Sequence, residues 1–136
     1  MTPIHWDMPM FDSIDPRSPI PLWEQIAARV RVAVASGELR PGEALPSVRE
    51  LAKQLRVNPA TVAQAYRELA GEGFAEARHG TGTFIRDVSQ DRKELERATQ
   101  AAALVRRMVE DAARLGINGG VLAEVFQKEV GRKIHD

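Results

Sequence analysis

No cysteine occurs in this 136-residue chain. Disulfides, thiolate metal sites and thiol nucleophiles are therefore excluded, and a cytoplasmic setting is expected. No apolar run approaches the roughly 18–20 residues that a membrane span needs. The N-terminus has no basic stretch leading into an apolar core, so neither a secretion signal nor a membrane partner is expected. There is no excess of charge either: 19 Lys and Arg balance 19 Asp and Glu. A nucleic-acid binder is often basic overall, and the balance weighs mildly against one. The charge is unevenly spread, however. Residues 1–19 carry Arg17 against Asp7, Asp12 and Asp15, whereas residues 20–86 carry nine Lys/Arg against seven Glu.

Catalytic and metal-binding patterns are missing as well. His5, His79 and His135 are scattered, with no second ligand at helical spacing, so no metal is expected. Nothing resembles a phosphate-binding loop, a nucleophile elbow or a pair of carboxylates. Gly80-Thr81-Gly82 lacks the longer glycine pattern and following helix of a dinucleotide site. The chain reads as a non-enzyme without a cofactor.

The informative stretch runs from Leu45 to Ile85. Ser47-Val48-Arg49-Glu50 has the form of a capping box, and Val48, Leu51, Ala52 and Leu55 then recur on one helical face. Arg56-Val57 makes a short turn. Asn58 is a strong N-cap and Pro59 suits the first helical position, opening a second helix that buries Val62, Ala65, Tyr66 and Leu69. Gly71 and Gly73 stop it. Strands are expected over 74–77 and 83–86, joined by a turn at His79-Gly80-Thr81-Gly82. Upstream, Leu22, Ile26, Val30 and Val34 recur every four residues, which predicts a first helix from Pro21 to about Leu39. Two capped helices a tight turn apart, followed by a glycine-tipped hairpin, are the sequence shape of a winged helix-turn-helix, a module that sets one helix in the major groove of DNA.

Within that module the exposed side of the second capped helix shows Ala60, Thr61, Ala63, Gln64 and Arg67. Small side chains allow close approach to the groove floor, and Gln64 is the best candidate for reading a base, since Gln pairs with adenine in a bidentate way. Arg49 suits a phosphate or a guanine; Ser47 and Thr61 suit phosphates beside helix N-termini. His79 and Gly80 at the wing tip suit the DNA backbone or minor groove. Each has a plainer reading: Ser47 and Asn58 are caps in any case, Gly80 is a turn residue, and Arg49 and Arg67 are solvated charges. The ordered set is stronger than any member.

These residues resemble a known family. P-L-W-E-Q-I (21–26), G-E-L-R-P-G-E-A-L-P-S-V-R-E-L-A (37–52), N-P-A-T-V-A-Q-A-Y-R-E-L (58–69) and G-T-G-T-F (80–84) are similar to the GntR family of bacterial transcription regulators. The likeness covers residues 12–86, and the short tail, the lead-in F-D-S-I-D-P-R-S-P-I-P-L (11–22) and the Asn-Pro helix start resemble its YtrA-type branch. The resemblance implies a homodimer on an inverted-repeat DNA operator, and a repressor, often of a transporter operon. It carries DNA contact over to Arg49, Asn58, Thr61 and Gly80, with His79 following more weakly. Other branches place Arg where this chain has Pro59 or Ala63, so base readout at those positions is not carried over. Gln64 and Arg67 stand in for it.

The flanks complete the expectation. Residues 1–19 hold four of the eight prolines and read as an extended N-terminal arm, residues 20–87 as the DNA-binding domain and residues 88–136 as a helical tail. In the tail Leu95, Ala98, Ala102, Val105, Val109 and Ala112 repeat at a heptad-like interval, and a last helix at about 121–130 carries Phe126. Two such helices are too few to enclose a drug-sized pocket and bury their own apolar faces. Pairing with a second copy solves the burial, so Leu95, Ala102, Val105, Val109, Ala112 and Phe126 are read as dimerisation residues. The expected fold is mainly α with a small β wing, a winged helix-turn-helix plus a two-helix dimerisation segment. The rival readings are a winged-helix protein-interaction module and a ligand sensor centred on the tail, with a small-molecule effector of unknown identity.

Overall fold

The computed structural model describes residues 9–135. The first eight residues of the expected arm and Asp136 lie outside the described residues. The chain divides into two compact units, residues 1–97 and 98–136.

In the first unit, helix α1 (Leu22–Ser36) is buried along Ile26, Ala27, Val30, Ala33 and Val34. These positions, three and four apart, form one face that packs on α3. Helix α2 (Val48–Leu55) starts where the Ser47 hydroxyl accepts the Glu50 N–H at 3.0 Å, which is one arm of the expected capping box. Helix α3 (Pro59–Gly71) starts at Asn58, whose Oδ1 accepts the Ala60 N–H at 2.9 Å. Val62, Ala65, Tyr66 and Leu69 face the core, as their spacing dictates. Strands β1 (Ala75–Arg78) and β2 (Gly82–Ile85) pair antiparallel, with Ala75 opposite Ile85 and Arg78 opposite Gly82. Both are displaced one residue from the expected strands. The reason for β1 is that the Phe74 N–H bonds Leu69 O at 2.9 Å and closes α3, so pairing begins one position later.

One strand-like segment has no counterpart in the sequence reading. Residues 42–45 run along the free side of β2. Gly42 and Leu45 donate to Ile85 O and Thr83 O, Ile85 donates to Glu43 O, each at 2.8 Å, and Ala44 bridges Phe84. The loop between α1 and α2 thereby covers the edge of the wing.

Of the expected arm, the described part from residue 9 onward is not extended throughout. Pro9–Phe11 forms a 3-10 turn, and Met10 and Phe11 are buried in the same apolar cluster as Ile26, Leu69 and Phe74. The prolines limit helix there, but they do not prevent two large apolar side chains from joining the core. Gln25 holds the lead-in to α1: its amide nitrogen donates to Asp15 O and Ile20 O, and its oxygen accepts the Asp15 N–H.

Helix α4 (Gln90–Arg114) starts in the first unit and continues into the second. Its first turns are tied to that unit. The Arg92 guanidinium lies over the Phe74 ring at 4.5 Å, Arg31 bonds Glu72 at 2.8 Å and approaches Glu96 at 3.8 Å, and Arg97 Nη1 donates to Ala35 O at 2.5 Å. Val88 is buried in the core. The division therefore falls about ten residues later than the expected boundary at residue 88.

In the second unit α4 is closed off by Gly116, in the left-handed region at φ 75, and the Ile117 N–H reaches back to Ala112 O. Asn118 Oδ1 accepts the Val121 N–H at 2.9 Å and opens helix α5 (Gly119–His135). Gly119 and Gly120 make its first turn, so the helix starts two residues before the expected position at about 121. Ala112 is the one fully buried apolar side chain described in this unit. It lines the hollow it shares with Leu122 and Ile117 of the same chain, so much of its burial comes from its own chain. The chain turns back on itself here, and a seam read along α4 alone does not register that.

Candidate nucleic-acid interface

The site is built on α2, α3 and the wing. Leu51 and Ala52 bury one side of α2 and leave Ser47, Arg49, Lys53 and Arg56 exposed on the other. The buried face of α3 leaves Asn58, Ala60 and Arg67 exposed and Thr61, Ala63 and Gln64 half-buried. Thr61 and Gln64 lie one turn apart on this outer side, beside Ala60 and Ala63. Asn58 spends its oxygen on the cap, which leaves its amide N–H groups for an outside acceptor.

Tyr66 fixes how α2 and α3 meet. Its hydroxyl donates to Pro46 O at 2.7 Å from a buried position, locking the residue before the α2 cap to the middle of α3. Burial pushes this phenol well above its ordinary range, and the Glu50 carboxylate adds to the shift. Because the folded value is raised, the contribution is fully present below about pH 10, the usual tyrosine value, and fades as pH rises beyond it. Tyr66 is the chain's one tyrosine. Tyr66→Phe is expected to cost about 1–3 kcal/mol in urea unfolding, since Pro46 O is left buried without a donor. The same variant should lack the wild-type loss of stability above pH 10; an unchanged alkaline slope would remove Tyr66 as its source.

At the wing tip the Thr81 N–H bonds Arg78 O at 2.9 Å, and Gly80 takes φ 75, a conformation that glycine adopts without steric cost. His79 and Gly80 are exposed at the end of the hairpin. Arg78, which the sequence reading passes over, stacks on Phe84 at 4.5 Å and lies 3.9 Å from Glu76. Its signal is present in the residue order, since a strand residue next to a glycine turn stands at the tip.

The electrostatics follow the same division. Arg29 pairs with Glu38, Arg31 with Glu72 and Glu96, Arg92 with the Phe74 ring and Arg97 with a carbonyl. By contrast, Arg49, Lys53, Arg56 and Arg67 have no ion pair or side-chain hydrogen bond among the described residues. Four unpaired cations thus lie on the helix-turn-helix, although the whole chain is neutral; Arg40, Arg86, Arg106 and Arg107 are likewise unpaired among the described residues elsewhere in the chain.

The order α1, α2, α3 and hairpin, with a free polar face on the second helix of the pair, defines a winged helix-turn-helix DNA-binding protein. Comparison with known proteins narrows this. Residues 22–85 match the family described as bacterial regulatory proteins, gntR family. The chain is 38% identical over 104 residues to the HTH-type transcriptional repressor YtrA of Bacillus subtilis, covering 76% of this chain and 80% of that one. A GntR family transcriptional regulator from Listeria monocytogenes superposes with a TM-score of 0.64 at 30% identity, over 84% of this chain and 97% of that chain. YtrA from Sulfolobus acidocaldarius, a GntR-family transcription factor, gives 0.54 at 36% identity, over 68% and 96%. The chain belongs to the GntR family, with YtrA-type relatives, and is a DNA-binding transcription regulator rather than an enzyme. No helix among the described residues is long and apolar enough to cross a membrane.

Proposed function

We propose that the chain acts as a homodimeric repressor that occupies an inverted-repeat operator and blocks transcription by occlusion. The observation that carries this reading is the tail. Leu104, Val105, Val109, Leu115, Val121, Val125 and Phe126 are all exposed, between 41% and 75%, on a pair of helices with almost no interior of its own. Apolar surface of this kind marks an interaction site, and the partner that every copy meets is another copy. The hollow of about 360 Å³ lined by Leu104, Met108, Leu115 and Leu122 is open, as expected for a surface that receives side chains from a second tail. Two modules so joined set two α3 helices into successive major grooves about one helical turn apart.

Ser47, Arg49, Asn58, Thr61, Gln64, Arg67, His79 and Gly80 are the proposed DNA contacts; Leu95, Ala102, Val105, Val109, Ala112 and Phe126 are the proposed dimer residues, Ala112 through the hollow it lines. Ala102 is exposed like the others apart from Ala112. A repressor role is supported by the name of the Bacillus subtilis relative, and control of a transporter operon in the cytoplasm rests on the family resemblance. The test is selection from random duplex DNA, followed by titration at two salt concentrations. Enrichment of an inverted repeat, with affinity falling steeply with salt, is expected. Failure to enrich any sequence at low salt would overturn the reading and turn attention to a ligand of the tail.

A further inference from the structure

We propose that Arg56, together with Lys53, is a phosphate-binding residue that extends the DNA footprint of the helix-turn-helix along α2 and into its turn. This rests on the DNA-binding reading above and adds two residues to it.

The first observation is backbone strain. Arg56 is the one non-glycine residue with positive φ among the described residues, at φ 58 and ψ 47. It closes α2 by donating its backbone N–H to Ala52 O and Lys53 O. Any residue does that, and glycine does it best, because a Cβ is disfavoured in the left-handed region. The Arg56 side chain is exposed and has no ion pair or hydrogen bond among the described residues. The fold gains nothing visible from this long side chain at a position that suits glycine. Residues held in sparsely populated conformations cluster where function requires them.

The second observation is placement. Arg49 and Lys53 lie four apart on one exposed side of α2, flanking the face of Val48, Leu51 and Leu55, and Arg56 at the C-cap completes a short cationic stripe. The stripe spans about 10 Å at the helical rise. It ends two residues before Asn58, the cap of the helix that enters the groove. Duplex DNA presents one charge about every 1.7 Å of its axis, so a cationic stripe of this length meets several phosphates. The interaction is sequence-independent, since a guanidinium or ammonium on a phosphate reads no base. A rival account assigns the Arg56 charge to the C-terminal dipole of α2, which a cation stabilises whether or not DNA is present.

The experiment compares wild type, Arg56→Gly, Arg56→Gln and Lys53→Gln on the selected operator and on an unrelated duplex, over a series of salt concentrations. Arg56→Gly is expected to raise the melting temperature while weakening both duplexes by a similar factor, about 3–10-fold. Its slope of log affinity against log salt should fall by about 0.9 for each phosphate no longer neutralised. Arg56→Gln should show the same weakening without the gain in melting temperature, and Lys53→Gln a parallel weakening. Affinity and slope equal to wild type in the Arg56 variants would overturn the proposal. So would a loss confined to the operator with the slope unchanged, which would indicate base reading. Wild type that binds neither duplex would overturn the underlying DNA-binding reading as well, and is distinguishable because it requires no variant.

Discussion

Replacing Arg49 and Thr61 together by alanine is expected to lower operator affinity on the order of a hundredfold or more and to leave folding nearly unchanged. Arg49 is exposed on the first turn of α2 and has no partner among the described residues, so its removal disturbs no internal packing. Thr61 is half-buried on the outer side of α3, next to a core whose members are Val62 and Ala65. Each of the two side chains is worth about 1–3 kcal/mol at the DNA, and a two-fold site is deprived of each one twice. Every 1.4 kcal/mol is about tenfold. Fluorescence anisotropy with a labelled operator gives the affinity, and circular dichroism gives the melting temperature. Intact binding by a folded double variant would shift the interface away from the α2 start and would favour a protein-interaction role for the module.

The second large effect concerns the tail. Val109→Asp with Phe126→Asp is expected to convert a dimer to a monomer in size-exclusion chromatography with light scattering. Both side chains are exposed in the single chain, at 51% and 41%, so the charges meet water rather than the chain's own interior. They become costly where a second copy covers them, because a buried unpaired carboxylate is strongly disfavoured. Operator affinity should fall by about 10²–10⁴, the advantage that linking two binding modules confers. Binding to a single half-site should persist. A variant that stays dimeric would place the interface elsewhere; a variant that becomes monomeric yet keeps full operator affinity would show that one module suffices.

The helix-turn-helix is legible in the sequence because its signals are local. Ser47 before Val48 and Asn58 before Pro59 mark helix starts whatever the rest of the chain does, and the apolar spacing of Val62, Ala65, Tyr66 and Leu69 sets the buried face. The misreadings arise where the cause is distant in sequence. Ala44 joins β2 from forty positions away and carries no strand pattern of its own. Met10 and Phe11 are apolar residues among prolines, and only the cluster around Ile26 and Leu69 shows why they are held. Ala112 fits a seam along α4, whose pattern does not show that the turn at Gly116 and the cap at Asn118 bring α5 back toward it. In the interface, the polar side of α3 follows from its buried side. Arg56 reads only as part of a turn, because positive φ at an arginine leaves no mark in the residue order.

The ties along the start of α4 also decide how small a working fragment can be. A chain cut after residue 87 would keep every proposed DNA-binding residue. It would also uncover Phe74 by losing Arg92, leave Arg31 with only one of its two carboxylates, and expose the end of α1 where Arg97 now donates to Ala35 O. A cut after residue 97 keeps all of these and still removes nearly all of the exposed tail. The shortest autonomous reader of DNA in this chain therefore includes two turns of the helix that leads into the tail.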